Sequence, residues 1–362
     1  MTDDIKWLWN KIKGWTHQQA QQYVYEAIPK ERTDRDYDDS ALREERSYFR
    51  LWLCEMFLSN SQTWFTNQYP AVHSSVQLKF GDQDGVNFSR VAQVPQEALA
   101  KGLLLNYRLT ELMPFNGGTV EIEAALLALQ GANYLQTALN VLQDFSGLIT
   151  PPLGQVLSIA EKVSSGMKTV IGASNNNRVH LALHQTFTSK GGGGAIDLKP
   201  GYIAVILATS TQVARERLSI RGDQLYYSAT PGTAPRPLTG YDYMLFRLEG
   251  REERDDWRLK NIVEPLNKSI EALLLGEDEK ASAFRKAAIA TAFQSPDLAV
   301  FDRRRVVQAI KDELDVVAQE GHGAVGVERG GDEALDQLMQ ARAMPMNVAA
   351  AKGAITAEEA FG

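Results

Sequence analysis

Residues 218–227 read LSIRGDQLYY, two short apolar runs about a Gly222-Asp223 pair. A Gly-Asp dipeptide in that setting is a direct hairpin signal, because two-residue turns between twisted strands need residues that tolerate positive φ. Further strand-like runs collect around it at 179–187, 202–209 and 243–248. SKGGGGAIDLKPG (189–201) joins two of them, its four consecutive glycines marking a loop tip. Upstream, Val72, Ser74, Val76, Leu78 and Phe80 suit a half-buried strand, and the turn GDQDG (81–85) followed by 86–94 makes a second hairpin. VEIEAALLAL (120–129) fits strand or helix, and periodicity alone does not decide between them.

The flanks read as helices. Ile5, Leu8, Trp9 and Ile12 fall at i, i+3, i+4 and i+7, with Asp3 and Asp4 in the first turn, where carboxylates suit the dipole. A second helix is predicted from Thr16 towards Ile28, stopping at Pro29. A third is predicted over 42–57, where Leu42, Phe49, Trp52, Leu53, Met56 and Phe57 keep one face apolar. That periodicity predicts a core position for Trp52, with a cost of ~3–5 kcal/mol on truncation to Ala. Further helices are predicted at 257–275, 278–293 and 302–320, the last carrying Val306, Val307, Ile310, Leu314 and Val317 as a stripe. GHGAVGVERGGD (321–332), with five glycines in twelve residues, reads as a linker.

Runs of strands followed by runs of helices predict an α+β fold. The expected layout is a helical N-terminal region (1–70), then a mostly antiparallel, β-sandwich-like region (71–250) with a helical insertion at about 131–172. A helical C-terminal region (251–320) and a Gly-rich linker with a docking tail (321–362) complete it.

Composition narrows the function. The hydrophobic fraction of 44 % is that of an ordinary globular chain. Thirty-eight Lys and Arg against 45 Asp and Glu leave a net charge of −7, which argues against nucleic-acid binding. The lone Cys54 excludes an internal disulfide, and the start MTDDIKWLWNKIKGW lacks a small-residue cleavage site, so a reducing cytoplasm is expected.

Chemistry-bearing motifs are sparse. Asp34, Asp36, Asp38 and Glu45 stand at positions 1, 3, 5 and 12 of a calcium-loop spacing, but Asp39 replaces the glycine needed at position 6. The competing reading is a charged connector whose Asp39 or Ser40 caps a following helix. Asp82 and Asp84 belong to a turn before they belong to a metal loop. His180 and His184 have zinc spacing on a helix, yet the alternation of 179–184 reads as strand, where they would sit about 13 Å apart. Ser165 and Lys168 fit S-x-x-K without its companion motifs. Cys54, between Leu53 and Met56, reads as a packed small hydrophobe. Neither phosphate-cradle pattern occurs, and Arg303-Arg304-Arg305 reads as a solvated helix face.

No catalytic, cofactor or metal residue is therefore assigned. The expected function is a non-enzymatic interaction or adaptor protein that engages another protein through a C-terminal docking tail, in which Thr356 and Glu359 form a capping-box pair and Phe361 is the anchor. A second reading is a membrane-acting effector using the Trp/Lys first helix or the charge-poor 112–171 region, where 112–160 holds only Glu121, Glu123 and Asp144 as charges. A third is a hydrolase with a dispersed site.

Overall fold

The computed structural model describes residues 3–18, 23–57, 68–79, 86–93, 103–130, 165, 167–169, 178–188 and 196–324. The predicted 131–172 insertion (apart from Ser165 and 167–169), the 81–85 and 191–194 turns and the 325–362 tail lie outside them. The described elements make an α+β protein. The helices are α1 (Asp3–Gln18), α2 (Lys260–Leu274), α3 (Asp278–Gln294) and α4 (Asp302–Ala324). The strands are β1 (Val24–Ile28), β2 (Tyr48–Phe57), β3 (Gln68–Lys79), β4 (Val86–Gln93), β5 (Leu103–Arg108), β6 (Met113–Pro114), β7 (Thr119–Gln130), β8 (Arg178–Thr188), β9 (Ile196–Asp197), β10 (Gly201–Ile206), β11 (Leu218–Arg221), β12 (Gln224–Tyr227), β13 (Arg236–Pro237) and β14 (Tyr243–Arg251). None of the described helices is long and apolar enough to cross a membrane.

The chain divides into two compact units, Met1–Trp257 with Pro296–Asp302, and Arg258–Ser295 with Arg303–Gly362. In the first, one sheet runs β1-β10-β14-β2-β5 with β6 on β2, a second runs β4-β3-β7-β8-β9, and a small third is β11-β12-β13. Pairing is antiparallel throughout the first and third sheets, and only β8 with β9 is parallel in the second.

β7 settles the ambiguous 120–129 run. Val120, Ile122, Ala124 and Leu126 enter one core cluster, joined by Leu181, Leu183 and Phe187 of β8 and by Phe49, Leu51, Leu53, Val205, Met244 and Phe246 of the first sheet. The other face of the first sheet forms a separate cluster in which Cys54, Tyr202, Ile206, Tyr243 and Leu245 meet Leu218, Ile220 and Leu225. A sheet covered on both faces selects near-continuous apolar strands.

That double burial corrects the helix predicted over 42–57. β2 sends Phe49, Leu51 and Leu53 to one cluster, and Cys54 to the other. A bulge that leaves Cys54 unpaired against β14 then returns Met56 to the first cluster. The apolar residues thus recur with helix-like spacing although the backbone is a strand. The helix expected over 16–28 is also corrected: α1 ends at Gln18, and 24–28 is the edge strand β1, which Pro29 terminates. Helical structure described in 1–70 is confined to α1 and one 3-10 turn at Lys30–Arg32.

α1 forms as its spacing predicts. Leu8, Trp9 and Ile12 are buried, and the helix lies along β7 and β8. In the second unit the three predicted helices form, and Val306, Ile310, Leu314 and Val317 are buried as expected. α2 ends at Gly276, whose φ of +71° lets its N–H reach Leu273 O at 3.1 Å while Glu277 N–H reaches Ala272 O at 2.9 Å. α4 continues through Gly321 to Ala324, past the expected start of the linker.

Candidate functional site

The 218–227 hairpin positions an open cleft. Gly222 and Asp223 take φ of +57° and +61°, the two-residue turn expected from Gly-Asp, and Arg221 pairs with Gln224 across it. Register then fixes where the backbone groups point. The pairs Arg221–Gln224 and Ser219–Tyr226 exchange bonds inside the ladder, and Ser228 N–H continues the series on Arg217 O at 3.2 Å. Leu218, Ile220 and Gly222 therefore turn their backbone groups to the outer edge.

That edge is sealed by residues 32–34. Arg32 Nη1 donates to Leu218 O at 3.0 Å, Thr33 bridges Ile220 in parallel sense, and Gly222 N–H donates to Asp34 Oδ2 at 2.7 Å. Arg32 is held in turn by Glu26 Oε1 at 2.6 Å and by Arg215 O. Arg35 continues the strap to Asp223 Oδ2 at 3.0 Å, and Asp223 also accepts the Tyr202 hydroxyl. An edge strand left open invites association, and here the chain's own charged segment closes it.

The helix-cap reading of the acidic connector is thereby corrected, since it leads into β2. Asp34 is committed to Gly222, Asp36 to Lys30 at 3.1 Å, and Asp38 accepts Ser40 N–H at 2.9 Å. Glu45 sits at φ +63° with its N–H on Phe115 O at 2.7 Å. Among the described residues no three His, Cys, Asp or Glu side chains come together as a metal-ligand group.

Between the strap and the 228–235 loop opens a cleft of about 810 Å³. Glu31, Asp34, Glu216, Arg217 and Arg221 give it charges of both signs, and Pro231 and Pro235 stand on the loop side. Arg217 is steadied by Ala229 O at 2.8 Å, and the Arg221 guanidinium lies 5.7 Å from the Tyr226 ring centroid. Sequence reasoning found the hairpin but not this cleft. The available signal was the alternation of Ser219 and Arg221, which puts two polar side chains on one face of β11, with Arg217 just before the strand.

The groups with reactive potential lie under the hairpin, inside the core. Cys54 is fully buried, and burial pushes its thiol up to about 12, so the thiolate that would act as nucleophile is suppressed. Glu55, also buried, accepts Leu225 N–H at 2.7 Å and the Tyr243 hydroxyl. Burial raises its carboxyl above the usual range, and burial likewise raises the hydroxyls of Tyr202 and Tyr243.

The raised Glu55 carboxyl predicts a pH effect on stability. Its contribution is fully present below the unfolded value of about 4.3 and is lost as pH rises through the higher folded value. Glu55→Gln, which keeps an acceptor for Leu225 N–H, should therefore gain stability relative to the parent at about pH 8 compared with about pH 4. Urea midpoints at the two pH values check this, and an offset equal at both would contradict it.

The remaining sequence candidates disperse. His184 on β8 places Nδ1 3.0 Å from Glu123 Oε1, and its ring meets Trp9 of α1 edge-on at 6.1 Å. The His180 side chain lies outside the described residues. Lys168 pairs with Asp4 at 2.7 Å, and Asp4 also bonds Ser165, so both S-x-x-K residues serve the α1 N-terminus. Comparison of the chain with protein-family models, curated proteins and solved structures finds no match.

Proposed function

We propose that this chain is a non-enzymatic interaction protein that receives an extended segment of another protein in the cleft over β11. The observation that carries the reading is a division of labour. Side chains of both signs line an open cleft on a strand edge fixed by the chain itself, while Glu55, Tyr202 and Tyr243 are buried as hydrogen-bonded supports of the hairpin and Cys54 is packed in the apolar cluster it shares. Polar groups in the cleft would set the orientation of such a segment. We read the two larger sheets, which share one core cluster, as a β-sandwich-like body on which this surface is built. A single buried cysteine suits a reducing cytoplasm.

The test is selection of binding peptides from a displayed library on the full chain. Peptides taken by the cleft should lose about tenfold or more in affinity to Arg217→Glu with Arg221→Glu, whose exposed or half-exposed positions leave the fold intact. Peptides bound equally by the double variant, or turnover of a generic ester, phosphate or peptide substrate by the parent, would contradict the reading.

The tail supplies a second contact in this proposal, on the strength of the Thr356/Glu359 pair and of Ile355 and Phe361. Deleting 332–362 should leave the thermal midpoint within about two degrees while weakening binding of the full-length partner. Aggregation of the truncated chain would assign those residues to the body instead.

A further inference from the structure

Two arginines set the chemistry of the cleft over β11. Arg217 stands just before the strand and Arg221 ends it, with the short Ser219 between them, and all three line the cleft. Each guanidinium is held in its own place. Arg217 Nη1 donates to Ala229 O at 2.8 Å, and the Arg221 guanidinium lies 5.7 Å from the Tyr226 ring centroid. The four steps from 217 to 221 span about 13 Å of extended backbone, so the two cations are separate anchor points and not one converging pair.

The chain itself pairs neither of them. Among the described residues Arg217 and Arg221 form no ion pair, whereas Arg32 in the same cleft is paired with Glu26 at 2.6 Å. Three carboxylates also line the cleft, and they differ in kind. Asp34 already accepts Gly222 N–H at 2.7 Å. Glu31 and Glu216 are exposed, and among the described residues no hydrogen bond fixes them. Ordering either glutamate onto an incoming cation costs side-chain entropy, and that cost is smaller for an arginine already held.

Resting on the cleft reading above, we propose that the segment received is extended and carries two acidic residues four apart in sequence, one for Arg217 and one for Arg221. A planar guanidinium takes a carboxylate through two parallel N–H···O bonds, which a single backbone carbonyl cannot match. In an extended segment residues i and i+4 point to one side about 13 Å apart, the separation of the two anchors. Glu31 and Glu216 repel acid at other positions, so the cleft discriminates against a uniformly acidic chain.

The experiment selects peptides from a displayed random library on the full chain and keeps those that lose binding to Arg217→Glu with Arg221→Glu. Their sequences should share Asp or Glu at i and i+4, and changing either acid to its amide should weaken binding about tenfold. Charge reversal is the sharper readout. Arg221→Glu alone should lose the selected peptide and regain affinity for the version in which Lys replaces one of the two acids. Cleft-dependent peptides that share no such pair, that tolerate any spacing of the acids, or that bind more tightly when every intervening residue is made acidic would overturn the acidic-pair proposal and leave the cleft reading standing. A selection that returns no cleft-dependent peptide would overturn both.

Discussion

Replacing Arg254 by Ala should cost ~3–5 kcal/mol, because it removes a buried cation that several separate stretches of the first unit share. Arg254 is 2 % exposed. Its Nη1 donates to Leu112 O at 2.9 Å and to Asp297 O at 3.0 Å, while Nε reaches Asp256 at 2.9 Å. Its backbone N–H also meets Asp302 Oδ2 at 3.1 Å, the same oxygen that accepts the Tyr48 hydroxyl at 2.8 Å. Tyr48 in turn accepts Ala299 N–H at 2.8 Å. Loss of the guanidinium leaves two buried carbonyls without their donor, and water has little access to replace it. Arg254→Lys should recover only part of the loss, since an ammonium lacks the fork that spans those acceptors. Denaturant midpoints of the two variants check this. A cost below ~1 kcal/mol for the Ala variant would show that the network contributes little.

Phe49→Ala should be comparably damaging, at ~3–5 kcal/mol, whereas Trp52→Ala should cost clearly less. Phe49 is fully buried against Phe115, ring centroids 6.5 Å apart, in the cluster that both large sheets enter. Trp52 points to the opposite face of β2, where it is half-buried among arginines and held by Glu249. On the helix that the sequence predicts, Phe49 and Trp52 would share one buried stripe and cost alike. Equal losses for the two variants would therefore contradict the strand, and the estimate of ~3–5 kcal/mol for Trp52 now passes to Phe49.

What was legible in the sequence follows from how locally each element is determined. The 218–227 hairpin depends on one dipeptide that tolerates positive φ, and the 302–324 helix on an uninterrupted stripe, so both could be read from a few residues. β2 depends on partners distant in the chain. Its apolar residues serve two cores and a bulge at Cys54 shifts their phase, which imitates a 3.6 period. The acidic connector misled for a related reason. Asp34 and Arg35 suit a solvated loop or a metal loop by composition, and only their long-range partners, Gly222 and Asp223, make them a strap. The cleft was illegible because its walls come from segments 31–34 and 216–235, brought together by that strap.

Hydrogen exchange of the full chain, with and without a saturating library-selected peptide, tests the recognition claim most directly. Amides of 30–37 and 215–235 should gain protection on binding, and those of α1 and of β3, β4 and β7 should not change. Protection confined to other segments, with 30–37 and 215–235 unaltered, would contradict the assignment of the cleft as the site where the partner binds.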